Sequence, residues 1–186
     1  MNPERQIREA VTTILEAIGE NPQRDGLRDT PARVAELYRE RFSGLHQDPQ
    51  DALASGFEEG HQEMVVLRDI PFYSMCEHHL LPFFGTAHIG YIPRGRIVGL
   101  SNVAQALDIL ARRPQLQERL TTQMADALMN ALKPEGVAVV LDAEHLCMLM
   151  RGAKRPGSNI VTSAVRGAFR SRPSTRAEFL SLIHGR

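Results

Sequence analysis

Two cysteines are all that the 186-residue chain contains. That is too few for the disulfide framework of a small secreted fold, and in a reducing compartment such thiols stay free. Net charge is lacking too: 22 Lys and Arg against 22 Asp and Glu leave no positive field of the kind that gathers nucleic acid. No apolar run approaches the roughly 18–20 residues of a membrane span, and MNPERQIREA is charged where a signal peptide carries its apolar core. A cytoplasmic location is therefore the expectation. Internal repeats and low-complexity tracts are missing as well. What remains, 42% hydrophobic and 24% charged residues, is the composition of a globular protein, and the length suits one core with an appended helical segment.

Hydrophobic periodicity divides the chain. Ile7, Ala10, Val11, Ile14, Leu15 and Ile18 recur at helical spacing until Gly19 and Asn21-Pro22 end the run. A second helix starts with Thr30 as N-cap and Pro31 at the first helical position. Residues 43–61 are polar and rich in turn formers, so residues 1–60 read as an N-terminal helical segment and 61–186 as the main domain. QEMVVLRDI and FFGTAHIGYI predict two strands, with SMCEHHLLP in the connection between them. Ser101 opens a helix carrying Val103, Ala106, Leu107 and Leu110, and another follows with Leu116, Leu120, Met124, Leu128 and Leu132. GVAVVLD and HLCMLMRG predict two further strands, and TRAEFLSLIHGR a short terminal helix. The expected class is α+β: two antiparallel helices across a four-stranded antiparallel sheet.

The chemistry-bearing residues cluster around SMCEHHLLPF. Cys76-x-x-His79 lets a tight turn aim two ligands at one ion, although a C-x-x-H pair also arises by chance. In an extended EHLC segment His145 and Cys147 would share a face, and a meeting of that face with the turn would gather Cys76, His79 and Cys147. Three protein ligands leave a metal position for water, as in catalytic zinc sites, whereas structural sites close with four. His78 and His145 are then either proton-transfer groups or candidates for a fourth ligand. A Cys76–Cys147 disulfide is the third possibility.

Taken together and in order, SMCEHHLLPFFGTAHIGYIP, VGLS, ARRPQLQERLT, EHLCMLMRG and VTSAVRGAFR resemble the GTP cyclohydrolase I family, with similarity from TPARVA near residue 30 to EFLSLI at the C-terminus. The resemblance implies the tunnelling fold, in which subunits join edge to edge into pentameric barrels that stack as a homodecamer. It implies conversion of GTP to 7,8-dihydroneopterin triphosphate and formate, the first step of tetrahydrofolate and pterin biosynthesis, with no nucleic-acid or membrane partner. By the same resemblance Zn2+ is held by Cys76, His79 and Cys147, and His78 and His145 are catalytic. Glu118, with Gln117 beside it, anchors the guanine edge, and Ser101, Arg151 and Arg33 contact the phosphates. Read on its own, Glu118 is a solvated helix acid paired with a nearby arginine.

One segment departs from the family pattern. L-S-K-x-x-R, whose Lys and Arg reach the phosphates, is here Leu100-Ser101-Asn102-Val103-Ala104-Gln105. A hydrogen bond to a charged group contributes about 1.5–3 kcal/mol, so two lost contacts could weaken triphosphate binding by several powers of ten. Three readings stay open: GTP with other cations such as Lys154, Arg155 or Arg166 compensating, a less phosphorylated purine, or a zinc-bearing assembly subunit with little activity.

Overall fold

The structure, a computed structural model, describes residues 2–151 and 157–185, so Lys154 and Arg155 lie outside the described residues. The chain divides into two compact units, Met1–Ser43 and Gly44–Arg186. In the first, helix α1 (Pro3–Ala17) starts at Asn2, whose side-chain oxygen accepts from the Glu4 N–H at 3.0 Å. Helix α2 (Thr30–Arg41) carries Pro31 in its first turn as expected, but its N-cap is Asp29 and no side chain caps it.

The second unit holds α3 (Pro49–Leu53) and β1 (Phe57–Glu58) within the stretch expected as a loop. Then come β2 (Val65–Cys76), β3 (Pro82–Ile92), β4 (Arg96–Ile97), α4 (Leu100–Ala111), β5 (Pro114–Gln115) and α5 (Gln117–Leu132). After these follow β6 (Gly136–His145), α6 (Leu146–Leu149), β7 (Ile160–Gly167), α7 (Ala168–Ser171) and α8 (Pro173–His184). The principal sheet has the order β5-β2-β3-β6-β7. Its four long strands are antiparallel, as expected, and β5 adds two parallel residues beside the end of β2. No helix among the described residues is long and apolar enough to cross a membrane.

Strand alternation sorts the core onto the two faces of the sheet. Phe83, Ala87, Ile89 and Tyr91 of β3, with Val137, Val139, Leu141 and Ala143 of β6, pack under α4 and α5 against Val103, Leu107, Leu110, Leu120, Met124 and Leu128. Burying each Leu or Phe there is worth about 1.5–3 kcal/mol. The intervening residues Ala138 and Val140 face the other way and meet Phe169, Phe179 and Ile183 of α7 and α8.

Two local expectations need correction. The fourth strand is Ile160–Gly167, not HLCMLMRG: β6 ends at His145 and Leu146–Leu149 turn helical. Leu and Met favour helix, whereas the β-branched run Ile160-Val161-Thr162 suits an edge strand. Ser74, Met75 and Cys76 likewise belong to the end of β2 rather than to a loop, because Met75 and Cys76 pair with Pro114 and Gln115.

Candidate active site and metal centre

Strand β2 delivers Cys76 to a turn bound on every side. The Cys76 N–H donates to the Leu81 carbonyl at 2.9 Å, the Leu80 N–H to the Cys76 carbonyl at 2.8 Å, and the Glu77 N–H to the Gln115 carbonyl at 3.0 Å. Leu80 takes φ +52°, a left-handed conformation rare outside glycine, to bring the chain back so quickly. His79 rides exposed on this turn. Because β6 stops at His145, Cys147 falls in the first turn of α6 and approaches from the other side. A ligand atom from each of Cys76, His79 and Cys147 lies within 4.8 Å of the others, and no other trio of His, Cys, Asp or Glu among the described residues does so.

This donor set fits a metal ion. Two sulfurs and an imidazole suit late transition ions rather than magnesium or calcium. Burial, and then the neighbouring Cys76 sulfur, push the Cys147 thiol above its ordinary range, with Arg151 acting weakly the other way. A cation is what would let the sulfur pair ionise. Arg151 also places its guanidinium against Nε2 of His79.

The two remaining histidines differ in setting. His78 is exposed, with Nδ1 3.9 Å from the Cys76 sulfur. His145 is buried at the end of β6, lying flat on the Phe83 ring with centroids 4.6 Å apart and planes 6° apart. Burial lowers its pKa, while the Glu118 carboxylate pulls it upward. Its Nε2 stands 2.7 Å from Oε1 of Gln117. Glu118, itself exposed in the first turn of α5, has no ion-pair partner among the described residues. The arginine next to it, Arg119, grips Glu77 instead at 2.5 and 3.1 Å. That bond holds the Glu77 carboxyl below its usual range and ties the ligand turn to α5. Gln117, expected at the guanine, is 1% exposed and its amide is taken up by protein groups.

Of the expected phosphate residues of the second unit, Arg151 lies at this cluster and Ser101 does not. Ser74 donates to the Ala111 carbonyl at 2.7 Å, so the C-terminal end of α4 adjoins the end of β2 that bears Cys76. Ser101 sits near the opposite end of that helix, about 15 Å away along its axis. Asn102 donates to the Ala52 carbonyl at 2.9 Å. Arg33 belongs to the first unit, where it lies 3.5 Å from Asp29. Arg166 pairs with Asp126 at 2.8 Å. The Glu77–Arg119 bond and the Phe83–His145 stack escape sequence reasoning, since each joins residues more than 40 positions apart with no motif to link them.

Comparison with known proteins identifies the family. The family model described as GTP cyclohydrolase I matches residues 7–184. A protein of Dehalococcoides mccartyi named GTP cyclohydrolase 1 is 60% identical over 185 residues, covering 98% of both chains. Proteins of the same name from Halalkalibacterium halodurans and Thermobifida fusca are 60% and 61% identical, covering 97% of this chain and 96% and 88% of their own lengths. Among solved structures, that of the archaeosine synthase QueF-Like in the apo form aligns with 56% of this chain and 93% of its own, at 19% identity and a TM-score of 0.43. With a family match across nearly its full length and relatives at about 60% identity, the chain belongs to the GTP cyclohydrolase I family.

Proposed function

We propose that the chain is a zinc-dependent cyclohydrolase that converts GTP and water to 7,8-dihydroneopterin triphosphate and formate, the first step of tetrahydrofolate and pterin biosynthesis, in the cytoplasm. The observation that carries this reading is the convergence of Cys76, His79 and Cys147 within 4.8 Å, with two further imidazoles at hand and a carboxylate without an ion-pair partner close enough to His145 to act on it. Zinc held by those three residues would supply Lewis acidity and an activated water, the chemistry of an open three-ligand site.

The protein groups do the rest. His78 and His145 move protons at the purine ring nitrogens and the ribose oxygen while C8 leaves as formate. Glu118 accepts hydrogen bonds from guanine N1–H and the exocyclic amine, with both oxygens clear of any arginine among the described residues. Gln117 serves by placing its neighbours. Arg151, Ser101 and Arg33 meet the phosphates. Because Ser101 is remote from the cluster in its own chain, a neighbouring copy brings it to the substrate. Among the described residues no further strand pairs with β7 or with most of β2, which supports edge-to-edge closure of copies into pentamers and a decamer.

A second reading, a less phosphorylated purine, draws on one feature. Asn102 and Gln105 line a cavity of about 330 Å³ together with Asp48 and Asp51, which is no setting for a triphosphate. Formate release from GTP, GDP, GMP and guanosine, measured with zinc content on the same preparation, separates the cases. Release from GTP alone with about one zinc per chain supports the first reading, and preference for GMP or guanosine replaces it with the second. Zinc without formate from any of the four leaves an assembly subunit.

A further inference from the structure

The bonds around Gln117 determine where its protons lie, and through them the state of His145. The Gln117 amide is buried, and its Nε2 faces the Leu141 carbonyl at 3.1 Å, the Ile160 carbonyl at 2.8 Å and the Thr162 hydroxyl at 3.1 Å. Backbone carbonyls only accept, so the amide nitrogen must face them and cannot be exchanged with the oxygen. A second chain closes the arrangement. The Thr121 hydroxyl donates to the Gln117 carbonyl at 2.7 Å, which leaves the Thr162 hydroxyl to donate to Thr121 at 2.6 Å and to accept from Gln117. The two amide hydrogens are shared among these three acceptors, and the hydroxyl directions follow from the carbonyls at the ends of the network.

Oε1 is therefore directed at His145, and an amide oxygen can only accept. Nε2 of His145, 2.7 Å away, must carry the hydrogen. The other ring nitrogen, Nδ1, has no protein partner among the described residues. The Phe83 ring, stacked 4.6 Å from the imidazole, limits the flip that would exchange the two nitrogens. We propose that Gln117 is a positioning residue that keeps a hydrogen on Nε2 of His145, so that the imidazole presents Nδ1 to the substrate as its proton-accepting atom. His78, exposed and free of such a constraint, takes the donor part. This assignment rests on the proposed cyclohydrolase reading for its chemistry, but the tautomer itself does not.

Two measurements test it. The first is magic-angle-spinning NMR of the intact, metal-loaded protein labelled with [13C,15N]histidine, the His145 signals being identified by their loss in His145→Gln. Ring shifts of the Nε2–H form support the proposal, and those of the Nδ1–H form overturn it. The second is steady-state formate release from GTP by Gln117→Met and Gln117→Glu. Partners that orient active-site imidazoles typically contribute about 10–100-fold. Gln117→Met should lose that much kcat with KM within about threefold and zinc content unchanged, and Gln117→Glu, which keeps an acceptor oxygen, should recover part of the loss. Wild-type kcat in Gln117→Met overturns the proposal, as does joint collapse of kcat, KM and zinc content, the mark of a purely structural role. If Gln117→Met fails to fold, the NMR result on the wild type decides. Wild-type protein with the Nε2–H tautomer but no formate release would instead refute the cyclohydrolase reading and leave this inference standing.

Discussion

Gly85 is a single backbone position on which both the sheet and the site depend. It pairs with Ala143 across β3 and β6, and a Cβ there would stand 1.9 Å from the Asp142 carbonyl oxygen and 2.7 Å from the Ala143 Cα. The obstacle is backbone, so relief cannot come from a rotamer change. The strands must part until the first contact reaches at least 3.0 Å, the tight end of ordinary Cβ contacts. Two pairs further along is Phe83 opposite His145, the stacked couple beside Gln117. Gly85→Ala should therefore cost about 1–3 kcal/mol as overpacking. For a domain of this size that is a fall in Tm of roughly 2–12 °C. A displacement of about 1 Å at His145 should also lower kcat by up to about 100-fold. Thermal melts and formate release from GTP measure the two effects. Gly60→Ala is the control: its φ of +66° carries a backbone penalty, but nothing lies within 4 Å of its Cβ, so Tm alone should fall, by about 2–4 °C. Gly85→Ala that melts within about 1 °C of wild type and turns over normally would refute the close approach of β3 and β6.

Three other outcomes follow from the site and the sheet. His78→Ala should reduce turnover by about 10²–10⁴-fold with zinc content retained, whereas loss of zinc would make His78 a ligand. Asn102→Lys with Gln105→Arg should lower KM for GTP by about tenfold or more if these positions meet the phosphates, less whatever Asp48 and Asp51 neutralise. An unchanged KM would assign phosphate binding to other residues. Finally, Nδ1 of His88 accepts from the Asp69 N–H at 3.2 Å at the irregularity in β2, and burial lowers the His88 pKa. The folded state resists this proton more than the unfolded chain does, so the associated stability is complete above pH 6.5, the ordinary histidine value, and is lost as pH falls below it. His88→Gln should shrink the drop in Tm between about pH 7.5 and about pH 5.5, and equal drops in both proteins would refute the assignment.

Local spacing and composition were enough to read much of this chain. The fourfold recurrence from Leu116 to Leu132 specified α5, since apolar side chains four apart share a helix face. The β-branched and aromatic runs specified β2 and β3, and the two cysteines with Cys76-x-x-His79 pointed to a metal trio while leaving His78 and His145 open as a fourth ligand. Cys147 reaches that trio by a route opposite to the expected one, from a helical turn rather than an extended strand, because β6 ends where its pairing with Phe83 ends. What the sequence could not decide depends on register and long-range approach. Gln117 looked like a substrate residue beside Glu118 until the sheet brought the Leu141 and Ile160 carbonyls to its amide. Arg119 bypassed its neighbour Glu118 and reached 42 residues back to Glu77. A side chain's type limits which bonds it can make, but which partner arrives is set by strand register and helix packing, and those belong to the tertiary structure alone.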